Sequence, residues 1–356
     1  MSSPPTTVIK LLENFNVSAW ILDSGGVVVY MNPAMQEIFG DLTGQPGDLI
    51  YDKKPDESLD FSTEVVITDV PFRRLGSLVD FGEEGVFLIE YFEDISEQKV
   101  LHNNMARALA KISGETKMAK NIQKSILPGD DIYWNTIALS SLYMPADDLG
   151  GDFYDLLKLN DDEYLLYIAD VSGHGIQTSL LTVFMRERVR TNLDAALAGT
   201  SELLAKLVRD FCALESVGMM YVTMALCKYR KSKHELSISN AGHNCFPIII
   251  RNNGRTENIP TRGLPISSIA DDAEYDEEVV SLRPGDRLIL FTDGIVEEVD
   301  TATGKTFGAE GVRDLAEKNR DYNGRYLARK IMDESAKYAL ITAKDDRSIV
   351  VADILA

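Results

Sequence analysis

The 356-residue chain places carboxylates where apolar runs stop. Asp170 closes the run "YLLYIAD", and Val171-Ser172-Gly173-His174-Gly175 follows at once. Asp152 lies in "LGGDFYD", Asp293 in "LILFTDGIVE", and Asp345 and Asp346 in "TAKDDRSIVV". Glycine beside a strand-end carboxylate lets the backbone approach a ligand closely. Carboxylates gathered at one point repel and take up protons unless a cation holds them. Hard divalent cations relieve that repulsion, and magnesium and manganese suit carboxylates, carbonyls and water. Two such ions sharing a bridging carboxylate activate a water for in-line attack on phosphorus. The pattern therefore fits a binuclear metal hydrolase acting on a phosphate ester. It also fits ordinary turn aspartates, and spacing alone does not separate the two.

Two histidines lie near these runs. His174, between glycines, and His243, in "NAGHNC", each suit a proton donor to a leaving alkoxide or a structural hydrogen bond. His102 and His234 read as surface residues. Met219, Met220 and the aromatic positions fit a core better than a cofactor box.

The elements that must position the carboxylates begin after a smaller N-terminal block. "AWILD", the turn "SGG" and "VVVYMN" read as strand, turn, strand, and "PAMQEIFG" as a short helix opened by Pro33 and closed by Gly40. "STEVVITDV" and "EGVFLIEYFEDIS" add two strands. Between Glu97 and Leu127, Met105, Ile112, Ala119 and Ile126 repeat at heptad spacing, with Leu101, Leu109 and Ile122 near the complementary seam. Gly114 and Glu115 interrupt that seam and predict a break or a bend, and Pro128-Gly129 ends the helix. Such a helix either pairs with its copy in a dimer or packs on its own domain.

From Ile137 onward, "TIALSSLYMP" and "YLLYIADV" read as paired strands, followed by helices at "GIQTSLLTVFMRERVRTNL" and "SELLAKLVRDFCALES". Five more strands follow at "YVTMALCKYR", "ELSISNAG", "CFPIIIRN", "DRLILFTDG" and "RSIVVADIL", with a final helix at "NGRYLARKIMDESAKYA" before the last of them. Many strands among few helices predict an α+β fold with two antiparallel sheets covered by helices.

Composition bounds the partners. The formal net charge is -20, which opposes a sequence-independent grip on nucleic acid or docking on an anionic membrane. It is compatible with cations, although most of it reads as solubilising surface. The 3 cysteines, Cys212, Cys227 and Cys245, have no metal-ligand spacing and suggest a reducing compartment. The N-terminus lacks the pattern of a secretory signal, and no apolar run reaches the roughly 20 residues of a membrane span. A cytoplasmic location is expected.

Two resemblances sharpen this reading. "WILDSGGVVVYMNPAMQEIFG" and "YFEDISEQK" resemble the opening and close of a PAS domain. "MPADDLGGDFYDLLKL", "YIADVSGHGIQTSLLT", "NAGHNCFPIII", "GLPISSI", "LRPGDRLILFTDGIVEEVD", "KTFGAEGV" and "DDRSIVVADI" occur in the order of PPM-type (protein phosphatase 2C-like) protein phosphatases. Their bacterial subgroup, typified by the stage II sporulation phosphatase and stress-response sigma-factor regulators, is the nearest match, and "AKNIQKSILP" is typical of it.

The resemblance implies a PAS-like sensor over 1–96, a helical linker over 97–128 and an αββα phosphatase domain over 129–356. It implies a serine/threonine phosphatase with two Mn2+ or Mg2+ ions. Asp170 bridges both ions, the carbonyl of Val171 completes one site, and Asp293 and Asp345 hold the other ion. Asp152 supports the first ion directly or through water, and Asp346 is an outer supporting residue or a weak ligand. The implied substrate is a phosphorylated anti-sigma-factor antagonist, a small STAS-domain protein. Asn244-Cys245 and Gln177 depart from the usual pattern without removing a ligand, and no arginine lies near Asp152 to clamp phosphate.

The first hundred residues hold no histidine or cysteine, so neither haem nor a flavin photoadduct is expected there. A small ligand, a protein partner, or dimerisation through the PAS block and linker helix remains. The competing readings are a sensory protein with an inactive phosphatase domain and a hydrolase of a small phosphoester. Nucleotide binding is weakened by the lack of a Gly-rich P-loop.

Overall fold

The computed structural model describes residues 4–14, 16–50, 60–67, 69–129, 131–214, 218–300, 304–338 and 345–355. Thr68, inside one expected strand stretch, and Ala339, at the end of the expected final helix, lie outside them. The chain divides into two units, Met1–Ile112 and Ser113–Ala356.

The first unit is built on a five-stranded antiparallel sheet. Its order is Val28–Met31, Ser18–Leu22, Val86–Asp94, Val70–Asp80, Asp60–Ile67. The helix Pro33–Phe39 is capped by Asn32, whose side-chain oxygen accepts from the amides of Met35 at 3.0 Å and Ala19 at 2.9 Å. Such a cap satisfies donors that the first helical turn leaves free. Trp20 and Phe92 meet edge to face at 5.5 Å in the core, and the Trp20 indole donates to the fully buried Glu90 at 2.8 Å. The long strand Val70–Asp80 was not expected, because "PFRRLGSLVD" carries proline, two arginines and glycine.

The helix Ser96–Ile126 runs unbroken through Gly114, so the break weighed there does not occur. A helical glycine costs about 1 kcal/mol relative to alanine, too little to break a run flanked by good helix formers. Leu101, Met105, Leu109, Ile112 and Ile122 are all exposed on it.

The second unit is a sandwich of two antiparallel sheets. One runs Glu278–Ser281, Glu235–Ala241, Tyr221–Arg230, Glu163–Val171, Phe153–Lys158, with Ile266–Ser267 paired to the start of Tyr221–Arg230. The other runs Thr256–Asn258, Ile248–Ile250, Arg287–Phe291, Arg347–Ile354, Ile137–Met144, Asp131–Tyr133. Alternation sends Leu139, Ile168, Ala225, Ile238, Leu290 and Val350 between the sheets. Each such leucine, isoleucine or valine contributes about 1.5–3 kcal/mol by leaving water. Opposite residues face outward to helices. Leu165 and Tyr167 pack with Met185, Leu203 and Leu207, while Ile349 and Val351 pack with Val312, Leu327 and Ile331. The order is helix, sheet, sheet, helix, as expected.

Two expectations fail. Ile137–Met144 and Glu163–Val171 are not partners but lie in different sheets. Ile137–Met144 pairs along its whole length with Arg347–Ile354, two hundred positions away, and Glu163–Val171 pairs with Phe153–Lys158 and Tyr221–Arg230. Adjacent apolar runs do not reveal which long-range partner each takes. Met219 is not in a core: it is 98% exposed.

Candidate metal centre

Strand register gathers the carboxylates at one end of the sandwich. Phe153 pairs with Ala169, so Asp152 comes to lie across from Asp170, while Asp170 faces Thr223 on its other side. In the second sheet Phe291 pairs with Ile349, which puts Asp293 and the Asp345-Asp346 pair at neighbouring strand ends. Asp152 then ties the sheets together. Its Oδ2 accepts from the hydroxyls of Thr292 and Ser348, each at 2.7 Å. Burial, then Asp170 and Asp346, push the Asp152 carboxyl well up from the ordinary range, and those two hydroxyls oppose the shift.

Asp170 shows the accumulated charge most clearly. Burial, followed by Asp293, Asp345 and Asp346, pushes its carboxyl up to about 7. Asp345, exposed at the surface, is raised by partial desolvation and by Asp293, Asp346 and Glu297, against the amide of Asp346. Asp293 opens the short helix Asp293–Val296, and its buried Oδ1 has no hydrogen-bond partner among the described residues.

Asp346 has a different task. Its Oδ1 accepts from the amide of Ala146 at 2.8 Å, and its Oδ2 accepts from the amides of Gly151 and, at 3.5 Å, Asp152. Both oxygens are thus engaged in holding the 146–152 loop. Gly151 lies so close to the next strand that a Cβ there would stand 2.4 Å from the carbonyl oxygen of Val171. After Val171 the chain turns through Gly173 and Gly175, at φ 95° and 91°, which only glycine adopts readily. The helix Ile176–Thr191 that follows is anchored by Arg186 and Arg190 on buried Asp155.

This donor set is all oxygen, and the raised Asp170 and unpartnered Asp293 Oδ1 are what a hard cation would relieve. The fit is chemical rather than already closed: among the described residues no three carboxylates or imidazoles stand together closely enough to hold an ion.

The histidines separate cleanly. His174 is exposed. His243 is buried, with Nε2 3.0 Å from the carbonyl of Phe291 and Nδ1 3.2 Å from the Thr223 hydroxyl. Phe291 can only accept, so Nε2 carries the proton and Nδ1 accepts. Burial lowers the ring's pKa, which makes His243 a neutral tie between the sheets.

Two residues at the site were not anticipated. The buried Tyr143 hydroxyl has no hydrogen-bond partner among the described residues, and burial, then Asp346, Asp152 and Asp170, raise its pKa and keep it protonated. Gln123, near the end of the long helix, is buried. Its Nε2 donates to the carbonyl of Gly150 at 2.6 Å and to the Thr182 hydroxyl at 3.2 Å, and its Oε1 accepts from the Gly150 amide at 3.3 Å. Tyr143 lies just before "MPADDLGGDFYD" and Gln123 within "AKNIQKSILP", but neither side chain was singled out.

The helix-sheet-sheet-helix order is that of the PP2C fold. The SiaA PP2C domain of Pseudomonas aeruginosa superposes with a TM-score of 0.60 at 22% identity, over 70% of this chain and 100% of that one. In sequence, phosphoserine phosphatase RsbU of Bacillus subtilis is 24% identical over 266 residues, 74% of this chain and 77% of RsbU. RsbP of the same organism, also named a phosphoserine phosphatase, is 24% identical over 186 residues, 51% of this chain and 45% of RsbP. A PAS domain profile matches residues 9–76, and the stage II sporulation protein E (SpoIIE) profile matches residues 160–355. The class is therefore a PAS domain followed by a PP2C-type protein serine/threonine phosphatase domain. The chain belongs to the stage II sporulation protein E family.

Proposed function

We propose that this protein removes phosphate from phosphoserine or phosphothreonine of a partner protein with the help of two Mn2+ or Mg2+ ions. The observation that carries this reading is the strand register that brings Asp152, Asp170, Asp293 and the Asp345-Asp346 pair to one end of the sandwich, where burial and then three further carboxylates push Asp170 up to about 7. Asp170 would bridge the ions, with the Val171 carbonyl and Asp152 toward one and Asp293 and Asp345 toward the other. When bound, the ions supply a polarised water and charge for the phosphoryl oxygens. Asp346 fixes the Gly151 loop, Thr292 and Ser348 orient Asp152, and His243 holds the sheets in register. The phosphatase names of RsbU and RsbP support the activity.

A phosphorylated STAS-domain protein, in a partner-switching pathway controlling a sigma factor, is the substrate this reading favours. The PAS block over 1–96 would regulate the phosphatase over 129–356 through the linker over 97–128, on binding a small ligand or a protein. The exposed Leu101, Met105, Leu109 and Ile112 support pairing of that helix with a second copy. Among the described residues no helix is long and apolar enough to cross a membrane, and the proposed location is cytoplasmic.

The test is release of phosphate from a phosphorylated STAS-domain protein and from p-nitrophenyl phosphate, with manganese and with chelator. Release from both, abolished by chelation, is expected. Manganese-independent release, or none, would end the reading.

A further inference from the structure

An apolar cleft of about 400 Å³ lies in the second unit, lined by Met219, Tyr221, Leu264, Pro265 and Ile269. Met219 and Ile269 are 98% and 94% exposed, and Leu264 and Tyr221 are exposed beside them. Side chains of this size normally leave water, and a contiguous group of them marks an interaction site. Methionine suits such a surface because its unbranched thioether adapts to varied shapes.

The cleft borders the carboxylate cluster. Thr223 pairs with Asp170 on one side of its strand, and Tyr221, two residues earlier, pairs with Ser267 on the other. The Ser172 amide donates to the Tyr221 carbonyl at 3.0 Å, and the Tyr221 amide donates to the Ser172 hydroxyl at 2.9 Å. Two strand spacings separate Asp170 from the far wall, a distance on the order of 10 Å, which is about three residues of extended peptide.

Charge selects the occupant. Between Pro260 and Leu282 there are six carboxylates (Asp271, Asp272, Glu274, Asp276, Glu277 and Glu278) and one cation, Arg262. Asp271, Asp272 and Glu274 are exposed on the loop that leaves Ile269 and Ala270. A partner with an apolar anchor and flanking lysine or arginine complements both features, whereas an acidic partner would be repelled.

We propose that this cleft is the docking surface for the phosphoprotein substrate, and that it receives a bulky apolar residue, flanked by basic residues, three or four positions from the phosphoserine. The proposal rests on the phosphatase reading for its phosphoserine, but its test does not depend on turnover. The probe is a fluorescein-labelled peptide with one phosphoserine, a leucine four residues away and two lysines beside the leucine. The control peptide replaces the leucine with serine and the lysines with glutamates.

Anisotropy with the full-length protein should show the first peptide binding at least about tenfold more tightly. Met219→Glu/Ile269→Glu, at two solvent-exposed positions, should erase the preference, and Asp271→Lys/Asp272→Lys should weaken or reverse its charge dependence. Equal binding of the two peptides overturns the proposal, as does a preference that survives both double variants. A dimer that becomes monomeric on Met219→Glu/Ile269→Glu, by light scattering, would assign the cleft to self-association and overturn it too. Turnover of p-nitrophenyl phosphate by the wild-type protein reports separately on the phosphatase reading. Its failure beside intact peptide preference would sink that reading and leave the docking surface standing.

Discussion

Gln123 hydrogen-bonds both backbone groups of Gly150, donating to its carbonyl at 2.6 Å and accepting from its amide at 3.3 Å. One side chain of the long helix thus fixes the residue that precedes Gly151. Gly151 in turn accepts from the Val171 amide at 3.1 Å, next to Asp170. Any displacement of the helix end has a short covalent and hydrogen-bonded route to the proposed bridging ligand.

Replacing Gln123 by leucine keeps the volume and removes all three hydrogen bonds, leaving buried backbone groups of Gly150 unpaired. Such a loss costs about 1–3 kcal/mol. The manganese concentration for half-maximal turnover should rise by about tenfold or more, since losses of outer supporting groups at metal sites cost about 10–100-fold. A metal titration of p-nitrophenyl phosphate turnover checks it, and an unchanged midpoint would make Gln123 a passive contact.

Asp346 predicts a loss of a different kind. Asp346→Ala removes the acceptor for the amides of Ala146 and Gly151. The apo protein should lose about 1–3 kcal/mol of stability, because charged acceptors are the costly ones to remove. Urea unfolding of wild type and variant measures this. A wild-type midpoint would mean that the 146–152 loop holds itself.

The buried Tyr143 hydroxyl lies near carboxylates and has no hydrogen-bond partner among the described residues. Tyr143→Phe deletes that group and little else. The apo protein should gain about 1 kcal/mol, or roughly 2 °C in melting temperature. A fall in melting temperature would show that the hydroxyl has a stabilising role.

Asp170 makes stability depend on pH. Its folded value of about 7 lies above the unfolded value of about 3.9, so proton binding favours the folded state. That contribution is fully present below about pH 4 and is lost as pH rises through about 7. Without metal, Asp170→Asn should therefore melt higher than wild type at pH 8, by about 2 °C or more. Manganese relieves the same repulsion, so its stabilisation of wild type should be larger at pH 8 than at pH 6. Thermal melts at both pH values read this, and an equal or larger shift at pH 6 would contradict it.

Much of this site was legible in the chain because strand-end carboxylates beside glycine are local features. Asp152, Asp170, Asp293 and Asp346 each lie at an apolar run's end, and the fold only had to bring those ends together. Gln123 and Tyr143 were not legible, since a glutamine in a helix and a tyrosine in a strand carry no mark of a partner elsewhere in the sequence. The same limit explains the mistaken pairing of Ile137–Met144, whose partner is the last strand. Met219 misled for another reason: hydrophobicity predicts burial only on average, and Met219 is exposed. The break at Gly114 did not occur because one glycine is a small cost against a helix of 31 residues.

The central claim is that Asp170 serves two cations in phosphate hydrolysis. The most direct test is manganese-dependent turnover of p-nitrophenyl phosphate by wild type and Asp170→Asn, with circular dichroism confirming equal folding. Loss of an outer supporting group costs 10–100-fold at metal sites, so loss of the bridging ligand should cost at least about 100-fold. Turnover within about twofold of wild type in a folded Asp170→Asn protein would contradict the assignment.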